Sequence, residues 1–223
     1  MAIFHILSVI RNLTWSHLAA RSGDPEQWLD AHANATTTAH NPRDHILGII
    51  GLGNIGYTIA QKAFAGFGMK IHYYDVARKS RQQEEAVNAT YVDSLESLLG
   101  TSDCVLLAAP FGGRKIIDAE RLAMFKQGSR FVNIARGSLV DEDALVQALK
   151  TGRIFATGLD VFEKEPAIHA ELRAMRNVTL TCPNAGGAIE TNYGFKSLAM
   201  ENVEALLLTG KALTPVNAHL MKN

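Results

Sequence analysis

An α/β fold built on a doubly wound parallel sheet is what this 223-residue sequence predicts, and three observations predict it. Short aliphatic runs alternate with stretches of helical periodicity. The runs are apolar at nearly every residue rather than at every second one. A glycine-rich turn, "GLGNIG" (51–56), directly follows the first of them. Strands that are apolar on both sides need a cover on both sides, and helical crossovers between them make the sheet parallel. A hydrophobic fraction of 47% and a charged fraction of 20% allow a sizeable core.

The first segment, "MAIFHILSVIRNLTWSHLAA" (1–20), places Ile3, Ile6, Leu7, Ile10 and Leu13 at helical spacing, with Phe4, Val9 and Trp15 widening the stripe. Arg11 and His17 interrupt it and no basic residue precedes it, so it reads neither as a signal peptide nor as a membrane span. It predicts an amphipathic helix whose apolar face needs something to cover it. Residues 21–44, with Pro25, Pro42 and a threonine run, read as a polar connector.

Strands are predicted at "HILGII" (45–50), "MKIHYY" (69–74), "CVLLAA" (104–109), "RFVNIA" (130–135), "IFATGLDV" (154–161) and "NVTLTC" (177–182). Helical signatures lie between them. "DSLESLL" offers Asp93 or Ser94 as N-cap and sets Leu95, Leu98 and Leu99 on one face. "DEDALVQALKTG" starts at Asp141, buries Leu145 and Leu149, and stops at Gly152. A last helix is capped at Thr191 and closed near Gly210, followed by a tail.

Lys+Arg and Asp+Glu both number 22, a balance that argues against a polyanionic partner such as nucleic acid. Cys104 and Cys182 match neither a disulfide framework nor a metal-ligand spacing. Both fall in apolar runs and read as reduced core residues, which points to a reducing compartment such as the cytoplasm.

The glycine loop carries the chemistry. Gly51 permits a tight turn, Gly53 lets the backbone approach a pyrophosphate, and Gly56 lets helix and strand pack closely. Amides and dipole at the start of the following helix attract phosphates. Asp75 ends the second strand nineteen residues after Gly56, close to the spacing of about 20 for an acid that holds a ribose. An acid there favours NAD over NADP, and Arg78, Lys79 and Arg81 soften the preference. Six strands around such a loop match a Rossmann-like dinucleotide-binding domain. The expected organisation is a helix and connector over 1–43, that domain over 44–190, and a helix and tail over 191–223.

Three further stretches extend the pattern. "FVNIARGSLVDEDAL" (131–145), "ATGLDVFEKEP" (156–166) and "TCPNAGGAIET" (181–191), taken with the glycine loop, resemble the D-isomer-specific 2-hydroxyacid dehydrogenases from about residue 3 to 217. "RNLTWSHLAARSGDP" and the Asn-Ala-Gly-Gly run are similar to the mandelate-like branch. The resemblance implies a substrate-binding arginine at Arg136 and a histidine-orienting glutamate at Glu165. It also implies cofactor contacts from Asn54, Ile55, Pro110, Ala135, Arg136 and Asp160 beside the loop glycines and Asp75. Residues of these types suit the reaction. A guanidinium fork grips a carboxylate and polarises its neighbouring oxygen, and a histidine handles the proton.

The family's histidine is missing. One register puts Pro183 in its place, supported by the run from Cys182 to Gly187; the other puts Asn184 there. Neither residue shuttles a proton near neutral pH, and losing general acid–base help lowers a rate by on the order of 100- to 10,000-fold. His169, four residues after Glu165, is the plausible stand-in. His72 faces the adenosine side or the core, and His5, His17, His32, His40, His45 and His219 read as structural or solvated. The resemblance also implies a substrate domain built largely from sequence upstream of the first helix, so the chain is expected to be N-terminally truncated. Three functions remain open: an NAD-dependent oxidoreductase of 2-hydroxy and 2-oxo acids (glyoxylate, hydroxypyruvate or an aromatic 2-oxo acid), an NAD-binding module of impaired catalysis, or a self-associating interaction protein with a vestigial cofactor site. Family members commonly dimerise, so a homodimer is the expected assembly.

Overall fold

The computed structural model describes residues 1–110 and 112–216, so His219 lies outside the described residues. In chain order the elements are α1 (Ala2–Arg11), α2 (Leu13–Ser22), α3 (Pro25–Asn34), β1 (Ile46–Ile50), α4 (Asn54–Phe67), β2 (Lys70–Tyr74), α5 (Arg81–Ala86) and β3 (Ala89–Tyr91). They continue with α6 (Leu95–Thr101), β4 (Cys104–Leu107), α7 (Ala119–Met124), β5 (Ser129–Asn133), α8 (Glu142–Lys150), β6 (Ile154–Leu159), α9 (Ala170–Ala174), β7 (Val178–Leu180) and α10 (Ile189–Thr209). The chain divides into two compact units, Met1–Cys182 and Pro183–Asn223.

In the first unit all strands pair in parallel, in the order β3-β2-β1-β4-β5-β6-β7. The order reverses direction between β1 and β4, the switch point of a doubly wound sheet. Strand alternation splits the core in two. Leu47, Ile49, Ile71, Cys104, Leu106 and Val132 join one cluster with Ile6, Val9 and Ile10 of α1 and with Ile59 and Ala63 of α4. Ile50, Val105, Leu107 and Phe131 join the other with Leu98 and Leu99 of α6 and Leu145 and Leu149 of α8. The near-continuous apolar runs are therefore the mark of a sheet covered on both sides. Gly48 lacks a side chain because a Cβ there would run into Ser102 at the end of α6.

Local signals set the helix ends. Ser94 caps α6 by accepting from Ser97 N–H, and Asp141 caps α8 by accepting from Ala144 N–H at 3.0 Å. Helix α8 gives way to Gly152 at φ 71°, as its sequence predicts.

Several expectations change. The single N-terminal helix is two, broken at Asn12, which sits at φ 55° while its side-chain amide donates to Ala35 O and Thr38 Oγ1. The apolar face of α1 is covered by the sheet itself: Ile6, Val9 and Ile10 are 1–2% exposed. Most of that stripe is consequently taken up by the sheet and unavailable for self-association. What stays exposed is Phe4 and Leu13 of that stripe together with Leu18, Trp28 and Leu29 on α2 and α3.

The 21–44 connector is largely helical. Asp24 caps α3 by accepting from Glu26 N–H at 2.9 Å and Pro25 occupies its first turn, so the "DPE" read as a breaker is a helix start. Strand β3 is a three-residue edge strand too short to show a pattern. Cys104 is buried, its thiol pushed up to about 12 by desolvation, whereas Cys182 is exposed and no core residue.

In the second unit, α10 begins after Ala188 rather than at Thr191 and closes at Gly210 in the left-handed conformation. Its apolar side chains, among them Tyr193, Phe195, Leu207 and Leu208, are exposed. No helix among the described residues is long and apolar enough to cross a membrane.

Candidate functional site

Ligands of doubly wound sheets bind outside the carboxyl ends of the strands beside the switch point. Here that place is the turn after β1. Gly51 takes φ 92°, and a Cβ on it would lie 2.9 Å from Ala109 in the turn after β4. A Cβ on Gly56 would run into Gly51 O, so the first turn of α4 sits directly on the loop. Gly53 differs: a Cβ there would meet nothing within 4 Å. Its glycine serves no packing need of the protein, and it leaves clear the space in front of the backbone.

Gly53 is also the N-cap of α4, and no side chain caps that end; Asn54 and Ile55 are exposed. The first amides of α4 thus keep donors and a positive dipole end for an anion. Asp75, at the end of β2, accepts from Leu52 N–H at 2.9 Å, which ties the acid to the same loop. A cavity of about 360 Å³ lies here, with Gly53, Asn54 and Lys79 in its wall. A cleared pyrophosphate cradle beside a strand-end carboxylate fits a dinucleotide.

The carboxyl ends of β4, β5 and β6 hold the other predicted residues. Pro110 is exposed after β4. Asn133, at the end of β5, accepts from Ala135 N–H and donates to Arg136 O, both at 3.0 Å, and so fixes the turn that presents Arg136. Arg136 is exposed and its Nη1 donates to Ala135 O, whereas Ala135 itself is 8% exposed. Gly137 is obligatory, because a Cβ would run into the Phe162 backbone. Asp160 is 1% exposed and accepts from Thr181 Oγ1 at 2.5 Å. Thr181 Oγ1 lies 2.9 Å from Nε2 of the buried His5. Burial lowers the His5 pKa to about 4 while Asp160 opposes the shift, so His5 is neutral at pH 7.

Glu165 is exposed, and its Oε1 accepts from Phe162 N–H at 2.9 Å. His169 caps α9, accepting from Glu171 N–H, and faces Asp143 at 3.1 Å. His72 is half-buried in β2 and its pKa is lowered by desolvation. Pro183 and Asn184 open the second unit, where Asn184 O accepts from Gly187 N–H at 2.9 Å. The structure thus gathers Gly51, Gly53, Asn54, Ile55, Gly56 and Asp75 around one helix end. Among the described residues there is no cluster suited to a metal ion.

Sequence reading passed over Asn133, Thr181 and His5, which orient the predicted residues. The first signalled itself as a lone polar residue in an apolar strand, and His5 as a polar residue on the buried stripe of α1.

This fold and loop define a Rossmann-type domain that holds a nicotinamide dinucleotide. Residues 3–184 match the NAD binding domain of the D-isomer specific 2-hydroxyacid dehydrogenases, and the chain belongs to that family. It is 47% identical to Rhodotorula graminis D-mandelate dehydrogenase, with TM-score 0.94, over 96% of this chain and 63% of that one. It is 41% identical to glyoxylate/hydroxypyruvate reductase B of Escherichia coli K12, over 78% of this chain and 54% of that protein. An NADPH-dependent glyoxylate/hydroxypyruvate reductase of Sinorhizobium meliloti is 32% identical with TM-score 0.80, over 96% of this chain and 66% of that one. The chain spans about half the length of the curated relatives it matches.

Proposed function

We propose that this chain binds NAD against the α4 N-terminus and belongs to an NAD-dependent reductase of 2-oxo acids. The candidate substrates are glyoxylate, hydroxypyruvate and an aromatic 2-oxo acid. The observation that carries the reading is the open space in front of Gly53, over a helix end that no side chain caps. In this reading the α4 amides hold the pyrophosphate, and Asp75 accepts from a ribose hydroxyl and disfavours a 2′-phosphate. Pro110, Ala135 and Asp160 are the contacts that the resemblance implies toward the nicotinamide end. The bound dinucleotide would supply a hydride. Arg136, presented by the Asn133-braced turn, holds the substrate carboxylate and polarises the 2-oxygen.

A second reading is favoured by two observations. Position 183 is proline, and the Glu165 carboxylate is engaged by the Phe162 amide. Both suit a dinucleotide-binding module that turns over slowly.

Titrating NADH against protein fluorescence should give saturable binding, and a flat titration would overturn the cofactor reading. Steady-state assays with the three oxo acids should give turnover at least about a hundredfold below an ordinary relative, from the lost proton carrier. Ordinary rates with any of them would refute that expectation. For assembly we propose a homodimer through the exposed Leu18, Trp28 and Leu29, which sedimentation of a Trp28→Glu variant as a monomer would support and an unchanged dimer would refute.

A further inference from the structure

Three cations follow Asp75 within six residues, and the structure gives each a different partner. Arg78 donates from Nε and Nη2 to both carboxylate oxygens of Glu84, each at 2.9 Å. Arg81 donates to Glu85 Oε1 at 2.7 Å. Lys79 alone turns to the site, with Nζ 3.2 Å from Asp75 Oδ2. Its backbone is held in place: the buried Tyr73 hydroxyl donates to Glu84 Oε1 at 2.6 Å and accepts from Lys79 N–H at 2.9 Å. Lys79 shares the wall of the cavity at the glycine loop with Gly53 and Asn54, and its side chain is 23% exposed.

We infer that Lys79 is a specificity-determining residue: paired with Asp75, it offsets that carboxylate's repulsion of a ribose 2′-phosphate, so the site accepts NADPH as well as NADH. The inference rests on the cofactor reading above and deepens it. An acid alone at the end of β2 would set a full negative charge against the 2′-phosphate. Here the Leu52 amide and Lys79 both engage one oxygen, Oδ2. In the proposal the other oxygen accepts from a ribose hydroxyl, so NADH keeps its acceptor. An ammonium on a flexible stem swings from carboxylate to phosphate without moving the backbone. Arg78 is directed elsewhere, with its Nε and Nη2 both on the Glu84 carboxylate. The acid read in the sequence as selecting NAD is therefore half of an ion pair.

The test is a pair of equilibrium titrations on the full chain, NADH and NADPH, followed by fluorescence or calorimetry and independent of turnover. The unaltered protein should bind NADPH within about tenfold of NADH, since the local charges nearly balance. Lys79→Met should raise the NADPH dissociation constant by about tenfold or more and change that for NADH by less than about threefold. Lys79→Arg should restore NADPH binding, and added salt should weaken NADPH more steeply than NADH. Asp75→Asn, which keeps the shape and removes the repulsion, should bind NADPH at least as well as the unaltered protein.

Equal effects of Lys79→Met on both nucleotides, or none on either, would overturn the role of Lys79 and leave NAD binding standing. So would exclusion of NADPH by more than about a hundredfold in the unaltered protein. Saturable binding of neither nucleotide would overturn the inference and the cofactor reading together.

Discussion

The glycine-loop end of the sheet and the ends of β5 and β6 are built to different standards of completeness. At the loop, Gly51 and Gly56 each answer a separate packing demand, Gly53 faces open space, the helix end is uncapped, and the strand-end acid is tied to the loop by an amide. At β5 and β6, Arg136 is presented on a braced turn and Asp160 is buried in a hydrogen-bonded chain. In the family resemblance the proton-carrying histidine falls at Pro183 or Asn184, and neither of these carries a proton near neutral pH. Binding a dinucleotide needs only backbone shape and one dipole, which a short contiguous loop supplies. Proton transfer needs one side chain of the right type at one position, and a single substitution removes it. Of the two proposed functions, binding thus depends on fewer single side chains.

The sharpest way to break the comparison is to fill the two kinds of glycine. Gly137→Val forces a side chain into the Phe162 backbone and should lower stability by about 3 kcal/mol or more, read from urea unfolding. Gly53→Ala adds a Cβ that meets nothing within 4 Å in the protein, so it should leave stability within about 0.5 kcal/mol while weakening NADH at least about tenfold. A large loss of stability at Gly53 would mean that the loop glycine serves the fold rather than the ligand.

The chain from His5 to Asp160 gives a pH signature of nearly the size expected for Gly137. The folded His5 pKa of about 4 lies below its ordinary value of 6.5, so the unfolded chain binds the extra proton first as pH falls. Stability should accordingly be full above pH 6.5 and decline between about 6.5 and 4, by about 3 kcal/mol for this group alone. His5→Asn should flatten that part of the profile; an unchanged slope would show that other groups set it.

The smallest effect sharpens the catalytic side. Arg136→Lys should change NADH affinity by less than about threefold, because the role proposed for Arg136 in the reaction is with the substrate carboxylate and the cofactor contact that the resemblance also implies keeps its positive charge. Any residual turnover should fall by about tenfold or more, since an ammonium loses the bidentate grip. A matching loss of NADH affinity would move Arg136 to the cofactor.

Much of this was legible in advance because it is local. The apolar runs at 45–50, 69–74, 104–109 and 130–135 became β1, β2, β4 and β5, and the caps at Ser94 and Asp141 sit where the residue types put them. The misses are also physical. Residues 25–34 were read as connector because proline and polar residues start helices as well as break them. Strand β3 is held by its neighbour β2 and has no signal of its own.

Sequence alone determined the class of fold, the glycine turn between the first strand and its helix, and the acid at the end of the second strand. Each of these is a matter of residue type at fixed spacing along one stretch of chain, where backbone geometry and side-chain chemistry leave little choice. Tertiary structure decided the rest: that α1 is covered by its own sheet, that Asn133 braces Arg136, that His5 reaches Thr181, and that Lys79 rather than Arg78 faces Asp75. Contacts of that kind join residues that are distant in the chain, or choose among near-identical neighbours. Packing and charge complementarity in the folded state determine them, and no spacing rule encodes either.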